Sequence, residues 1–209
     1  MTIERRFLAA DGLELRAEGE SRRISGYFAL YDRFSPVYGR FRERIAPGFF
    51  DEAMQKSDVR ALFNHDESRI LGRNRAGTLR LRSDATGLYG EVDPVPKTAT
   101  GDEVLENLRL GNLTGASFAF TLPPEGGDAW AKASDGNWER TLLRAEELYD
   151  VSVVTVPWYS DTSVAARSAV AELERSFAKW QEAHPEPPAE EPAPAAPDFT
   201  RERLLLSSL

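Results

Sequence analysis

The chain has 209 residues, more than the roughly 150 of one average domain and fewer than the roughly 300 at which two cores are expected, so one sizeable core is the first expectation. Hydrophobic residues at 41% and charged residues at 29% exclude a wholly disordered, collagen-like or coiled-coil chain, and a net charge of -8 gives no electrostatic reason to approach nucleic-acid phosphates or anionic lipid. With no Cys there is no disulfide, thiolate nucleophile or Cys-ligated metal; two His, at 65 and 184, argue against a multi-histidine centre, and no run nears the ~20 apolar residues of a bilayer span.

Alternation, β-branched content and bounding Gly, Asp or Asn predict strands over 12–17, 23–31, 59–63, 78–83, 88–92, 115–122, 138–144 and 148–155, with the clearest hairpin turn at 84–87. Helices are predicted over 47–55, opened by Pro47, over 102–110, closed by Gly111, and over 163–182. In the last of these Val164, Val170, Leu173, Phe177 and Trp180 form an apolar stripe, with Thr162 or Ser160 as N-cap. Many strands and few helices give the expected fold class: α+β, mainly β, a closed or barrel-like antiparallel sheet with surrounding helices. Six of the 13 prolines fall within 183–197, so the domain is expected over 1–182, followed by a Pro/Ala/Glu-rich spacer over 183–198. A Leu-rich tail, 199–209, reads as a frayed terminus or as a short docking peptide on a leash. The start of the chain turns polar before a secretory core develops, which is the expectation for a soluble, unexported protein.

Cofactor signatures are missing: there is no G-x-G-x-x-G, Walker A, His-Glu-x-x-His or EF-hand pattern, so no cofactor is expected and attention moves to acid-base or nucleophilic side chains. His65 follows an apolar run in NHDESRILGR, a place that suits a structural histidine as well as a catalytic one. Ser117 lies in LTGASFAFTL, where alternation puts Gly115, Ser117 and Ala119 on one face and Phe118 and Phe120 on the other. Small neighbours leave room for a peptide, although a backbone-bonded strand serine would read the same way. Asp150 interrupts the β-forming run ELYDVSVVTVP, with Leu148 and Ser152 as face partners by alternation; a carboxylate there needs a cation or an N–H donor, whether arginine or imidazole.

FNHDESRILGR, GNLTGASFAF and LYDVSVVTVPWYSDTSV, in this order, resemble the prohead (capsid maturation) serine proteases of tailed bacteriophages, relatives of the herpesvirus assemblins. GYFALYDRFS, IAPGFFDEAM and GTLRLRSDATGLYGEVD extend the likeness over residues 24–168. The resemblance implies a serine endopeptidase with His65 as base, Ser117 as nucleophile and Asp150 as the acidic third group, acting without metal or cofactor. It further implies cleavage of capsid scaffolding segments and of the protease itself inside the immature shell in the host cytoplasm, and it makes self-association plausible. Two positions depart from the family pattern: Glu is commoner where Asp150 stands, which brings Glu147 into consideration, and Gly is common where Ala119 stands. Arg69 and Arg73, near His65 in the chain, suit surface ion pairs or an oxyanion contribution. The rivals are a non-enzymatic capsid scaffold or assembly factor on the same fold and a cofactor-free esterase, the latter opposed by the missing G-x-S-x-G elbow.

Overall fold

Alternating apolar strands supply the core layers, and strands rich in charge supply their edges. The computed structural model describes residues 2–8, 16–17, 21–155 and 164–184. Its strands are β1 (Glu4–Leu8), β2 (Arg16–Ala17), β3 (Ile24–Leu30), β4 (Phe41–Ile45), β5 (Arg60–Phe63), β6 (Asp66–Arg73), β7 (Leu79–Ser83), β8 (Gly87–Val92), β9 (Gly115–Thr121), β10 (Asp128–Lys132), β11 (Trp138–Leu142) and β12 (Glu147–Val154). The helices are α1 (Asp51–Lys56), α2 (Ala99–Arg109) and α3 (Val164–Ala183). No helix among the described residues is long and apolar enough to cross a membrane.

The mainly-β, α+β expectation holds, whereas the closed barrel does not. Three sheets form among the described residues, in the orders β1-β9-β12-β5-β6, β10-β11-β4 and β2-β3-β8-β7. Two pairings, β12 with β5 and β11 with β4, are parallel, against the all-antiparallel expectation. The outer strands of the five-stranded sheet, ERRFL and DESRILGR, carry charge along edges that a barrel would have to pair, which is how open sheets discourage further strand addition.

The main core lies between the five-stranded and four-stranded sheets, where Phe118 and Phe120 of β9 meet Ile24, Phe28, Leu88 and Val92, and Val104, Leu105 and Leu108 of α2 join them. Phe49 packs edge-on to Phe120 at 5.2 Å and Phe50 edge-on to Phe118 at 5.0 Å, a geometry that adds about 0.5–1.5 kcal/mol per pair beyond buried area. Pro47 to Phe50 form turns, so α1 begins at Asp51 and not at 47. α2 begins at Ala99, three residues before the expected start, because the Thr98 hydroxyl accepts the Gly101 N–H; Gly111 at φ +73° then takes the left-handed position that ends the helix. α3 covers the three-stranded sheet through Leu173 and Phe177, which pack with Phe41 and Trp130. The expected caps Ser160 and Thr162, and the spacer and tail from 185 onward, lie outside the described residues.

Four strands were not expected: β1, β4, β6 and β10. In β1 the buried positions Glu4 and Arg6 are charged, and in β4 the buried Glu43 lies between the core residues Phe41 and Ile45. Glu4 and Arg6 face Glu43 and the fully buried Arg140 in one ionic cluster, with Arg6–Glu4 at 2.5 Å, Arg140–Glu4 at 2.7 Å, Arg140–Glu43 at 3.0 Å and Arg140–Asp128 at 2.7 Å. Glu172 of α3 reaches Arg6 at 3.5 Å. Burial pushes the Glu4 carboxyl up, but Arg6 and Arg140 outweigh it and hold the group at about 2; burial alone dominates Glu172 and raises it. Because the folded value of Glu4 lies below the ordinary 4.5, its pairing stabilises the fold fully above about pH 4.5 and is lost as the pH falls toward 2. Glu172 contributes in the opposite sense, so the two must be separated by mutation. Urea midpoints taken from pH 6 to pH 2 should fall less steeply in Glu4→Gln than in the wild-type chain; parallel curves would contradict this assignment.

Candidate active site

His65 owes its position to a two-residue turn. Asn64 and His65 join β5 to β6 with φ of 57° and 56°, the left-handed pair that a tight hairpin of the mirror-image type I class demands. Asn tolerates that conformation well, and here its side chain also accepts the Thr155 N–H at 3.0 Å, while its own N–H donates to the Val153 carbonyl at 2.9 Å. The turn is thereby fastened to the end of β12, and the imidazole lies over the sheet face that carries Ser117.

Ser117 sits in the middle of β9, opposite Ser152 of β12 on one side and Phe7 of β1 on the other. The expected alternation holds: Phe118 and Phe120 enter the core, and Ser117 and Ala119 occupy the opposite face. Ala119 is ordinary extended strand, so the position demands no glycine.

Asp150 reaches the same face through an irregularity in β12. Leu148 pairs with Phe120 and Asp150 with Ala119, so Tyr149 is an extra residue. The alternation that grouped Leu148 with Asp150 is corrected by this bulge: Leu148 packs into the core, and Asp150 and Ser152 turn together to the other side. Glu147 stays exposed ahead of the bulge.

These three elements bring the three expected side chains together. His65 Nε2 lies 2.6 Å from Ser117 Oγ, and Nδ1 lies 2.7 Å from Asp150 Oδ1. A fourth group, Ser152, was not singled out from the sequence, although it shares a face with Asp150 two residues away. Its hydroxyl donates to Asp150 Oδ1 at 2.6 Å and accepts the His65 backbone N–H at 3.3 Å. With Asp150 as carboxylate, an acceptor only, Nδ1 carries the imidazole proton and Nε2 is left bare toward the serine hydroxyl. Ser117 and Ser152 are fully buried, and the His65 and Asp150 side chains are each 8% exposed. Charge separation in so dry a site is felt strongly.

Arg69 and Arg73 take the surface roles: Arg69 pairs with Glu103 and lies over the Phe63 ring, and Arg73 pairs with Asp58 at 2.5 Å. Among the described residues no group of three or more His, Asp and Glu is arranged to hold a metal ion.

No curated protein matches this chain. The solved structure of the bacteriophage T4 capsid assembly protease, gp21, aligns with it at 14% identity and a TM-score of 0.44, covering 74% of this chain and 99% of that one. The sequence model of the caudovirus prohead serine proteases (Peptidase_S78) matches residues 11–176, which is most of the chain, and the chain therefore belongs to that family.

Proposed function

We propose that this chain is a serine endopeptidase that cuts capsid scaffolding segments, and itself, inside the immature phage shell in the host cell. Ser117 Oγ attacks the scissile carbonyl, His65 Nε2 takes its proton and returns it to the leaving amine, and Asp150 holds the tautomer and balances the imidazolium. The single observation that carries this reading is the imidazole bridging hydroxyl and carboxylate at 2.6 and 2.7 Å, and membership of the prohead protease family supports it. Kinship with the herpesvirus assemblins and self-association belong to the same reading. Confinement with its substrates raises their effective concentration, so tight intrinsic binding is not needed.

One observation favours the rival reading, a capsid scaffold or assembly factor without activity: Ser117 has no exposed surface. Covalent labelling separates the two, because only an activated hydroxyl reacts readily with a fluorophosphonate. Mass spectrometry of the treated chain should place a single adduct on Ser117 that is missing from His65→Ala. An unlabelled wild-type chain, or equal labelling of the His65 variant, would favour the scaffold.

A further inference from the structure

The side of Ser117 that a peptide must reach is closed by β1. This strand lies N-terminal to the family match at 11–176, it is, among the described residues, an outer strand paired with β9 alone, and it runs antiparallel with Phe7 opposite Ser117. The Ser117 hydroxyl lies 2.9 Å from the Arg6 carbonyl oxygen as well as 2.6 Å from His65 Nε2. Its one proton cannot serve both acceptors. Attack on a carbonyl needs the serine lone pair directed at carbon with the proton already turned to the imidazole; a hydroxyl donating to the carbonyl oxygen is misaligned for that step. β1 therefore presents a peptide carbonyl at the nucleophile in a geometry that leaves it uncut.

The inward anchors Glu4 and Arg6 hold β1 through charge. Removing one partner of a buried ion pair leaves the other charge uncompensated, so release of the strand favours a replacement cation where Arg6 stands. Water has a route to this cluster: an open groove of about 650 Å³, lined by Thr2, Glu4, Asp128, Arg140, Lys179 and Trp180, runs along the start of the strand. When β1 leaves, Glu43 and Glu172 lose their Arg6 partner.

Resting on the assignment of Ser117 as nucleophile, we infer that the edge of β9 is the substrate site, that β1 is its in-cis occupant, and that the site receives an extended peptide with a basic side chain where Arg6 stands. The incoming strand pairs antiparallel with β9, as in other strand-addition binding. Its basic residue, whose carbonyl meets Ser117, satisfies Glu43 and Glu172.

The test uses the full chain, which contains no cysteine of its own. Arg5 and Ala119 are directly opposed across β1 and β9, and such pairs lie about 4.5–5.5 Å apart at Cα, within disulfide range. In Arg5→Cys/Ala119→Cys, oxidation should lower both fluorophosphonate labelling and peptide cleavage at least about 100-fold relative to the reduced protein, and reductant should restore them. Equal rates in the two states would overturn the role of β1 and leave the nucleophile assignment standing; a reduced protein that neither labels nor cleaves would overturn both. As a second variant, Arg6→Ala should speed labelling of Ser117 by about tenfold, and an unchanged or slower rate counts against the strand as a cover. In the reduced protein a peptide with Arg before the scissile bond should exceed its Ala analogue about tenfold in kcat/KM; parity would refute the acidic subsite.

Discussion

Replacing Ser117 by alanine should lower kcat for peptide hydrolysis by about 10⁶-fold, the scale of loss when a nucleophile acting as one unit with its base is removed. The change should leave the fold in place. The hydroxyl is buried between His65 Nε2 and the Arg6 carbonyl, so its removal costs about 1–3 kcal/mol for leaving buried polar partners unmet, while the methyl side chain sits beside Ala119 on a face already built of small residues. Urea unfolding should therefore show a lowered midpoint with an unchanged slope, and fluorogenic-peptide kinetics should show no turnover above background. Wild-type turnover in this variant would remove Ser117 from the chemistry. A collapse of folding would show instead that the serine is a structural group, the role that a backbone-bonded strand serine plays in many sheets.

Why the site was legible, when parts of the fold were not, follows from what each segment asks of its residues. β9 alternates small and aromatic side chains because one face enters a core and the other faces the imidazole, and that contrast survives in the bare sequence. Asp150 stood out as a charge in an apolar strand for the same reason. β1 was hidden because it buries Glu4 and Arg6, which a search for buried apolar residues passes over, and β4 because the buried Glu43 interrupts the apolar alternation of Phe41 and Ile45. β6 is mostly exposed in its first half and carries charge as an outer strand. The turn at Asn64 and His65 lacks the glycine that announces a tight hairpin, and the bulge at Tyr149 has no marker residue at all. Parallel pairing of β5 with β12 joins segments more than eighty residues apart, which local alternation cannot express; the all-antiparallel expectation failed at that point.

Asp150→Asn should cost about 10⁴-fold in kcat with little change in KM, because the substitution keeps the shape and reverses the proton order. The carboxylate now accepts from His65 Nδ1 and from the Ser152 hydroxyl on the same oxygen. With the amide nitrogen of the asparagine at that one position, its hydrogens point toward Nδ1 and toward the Ser152 hydroxyl, which then accepts. The imidazole must then carry its proton on Nε2, pointed at Ser117, where it has no lone pair to offer. Ser152→Ala removes a donor to the carboxylate and the acceptor of the His65 backbone N–H but leaves the tautomer alone, so its loss should stay near tenfold. The ordering is therefore the diagnostic: Asn at 150 far more damaging than Ala at 152, read as kcat from the same peptide assay. If Asp150→Asn retains a tenth or more of the wild-type rate, the third group lies elsewhere. Glu147→Gln, which changes an exposed carboxylate on the far side of the bulge and should be silent, is the variant that would then show the loss.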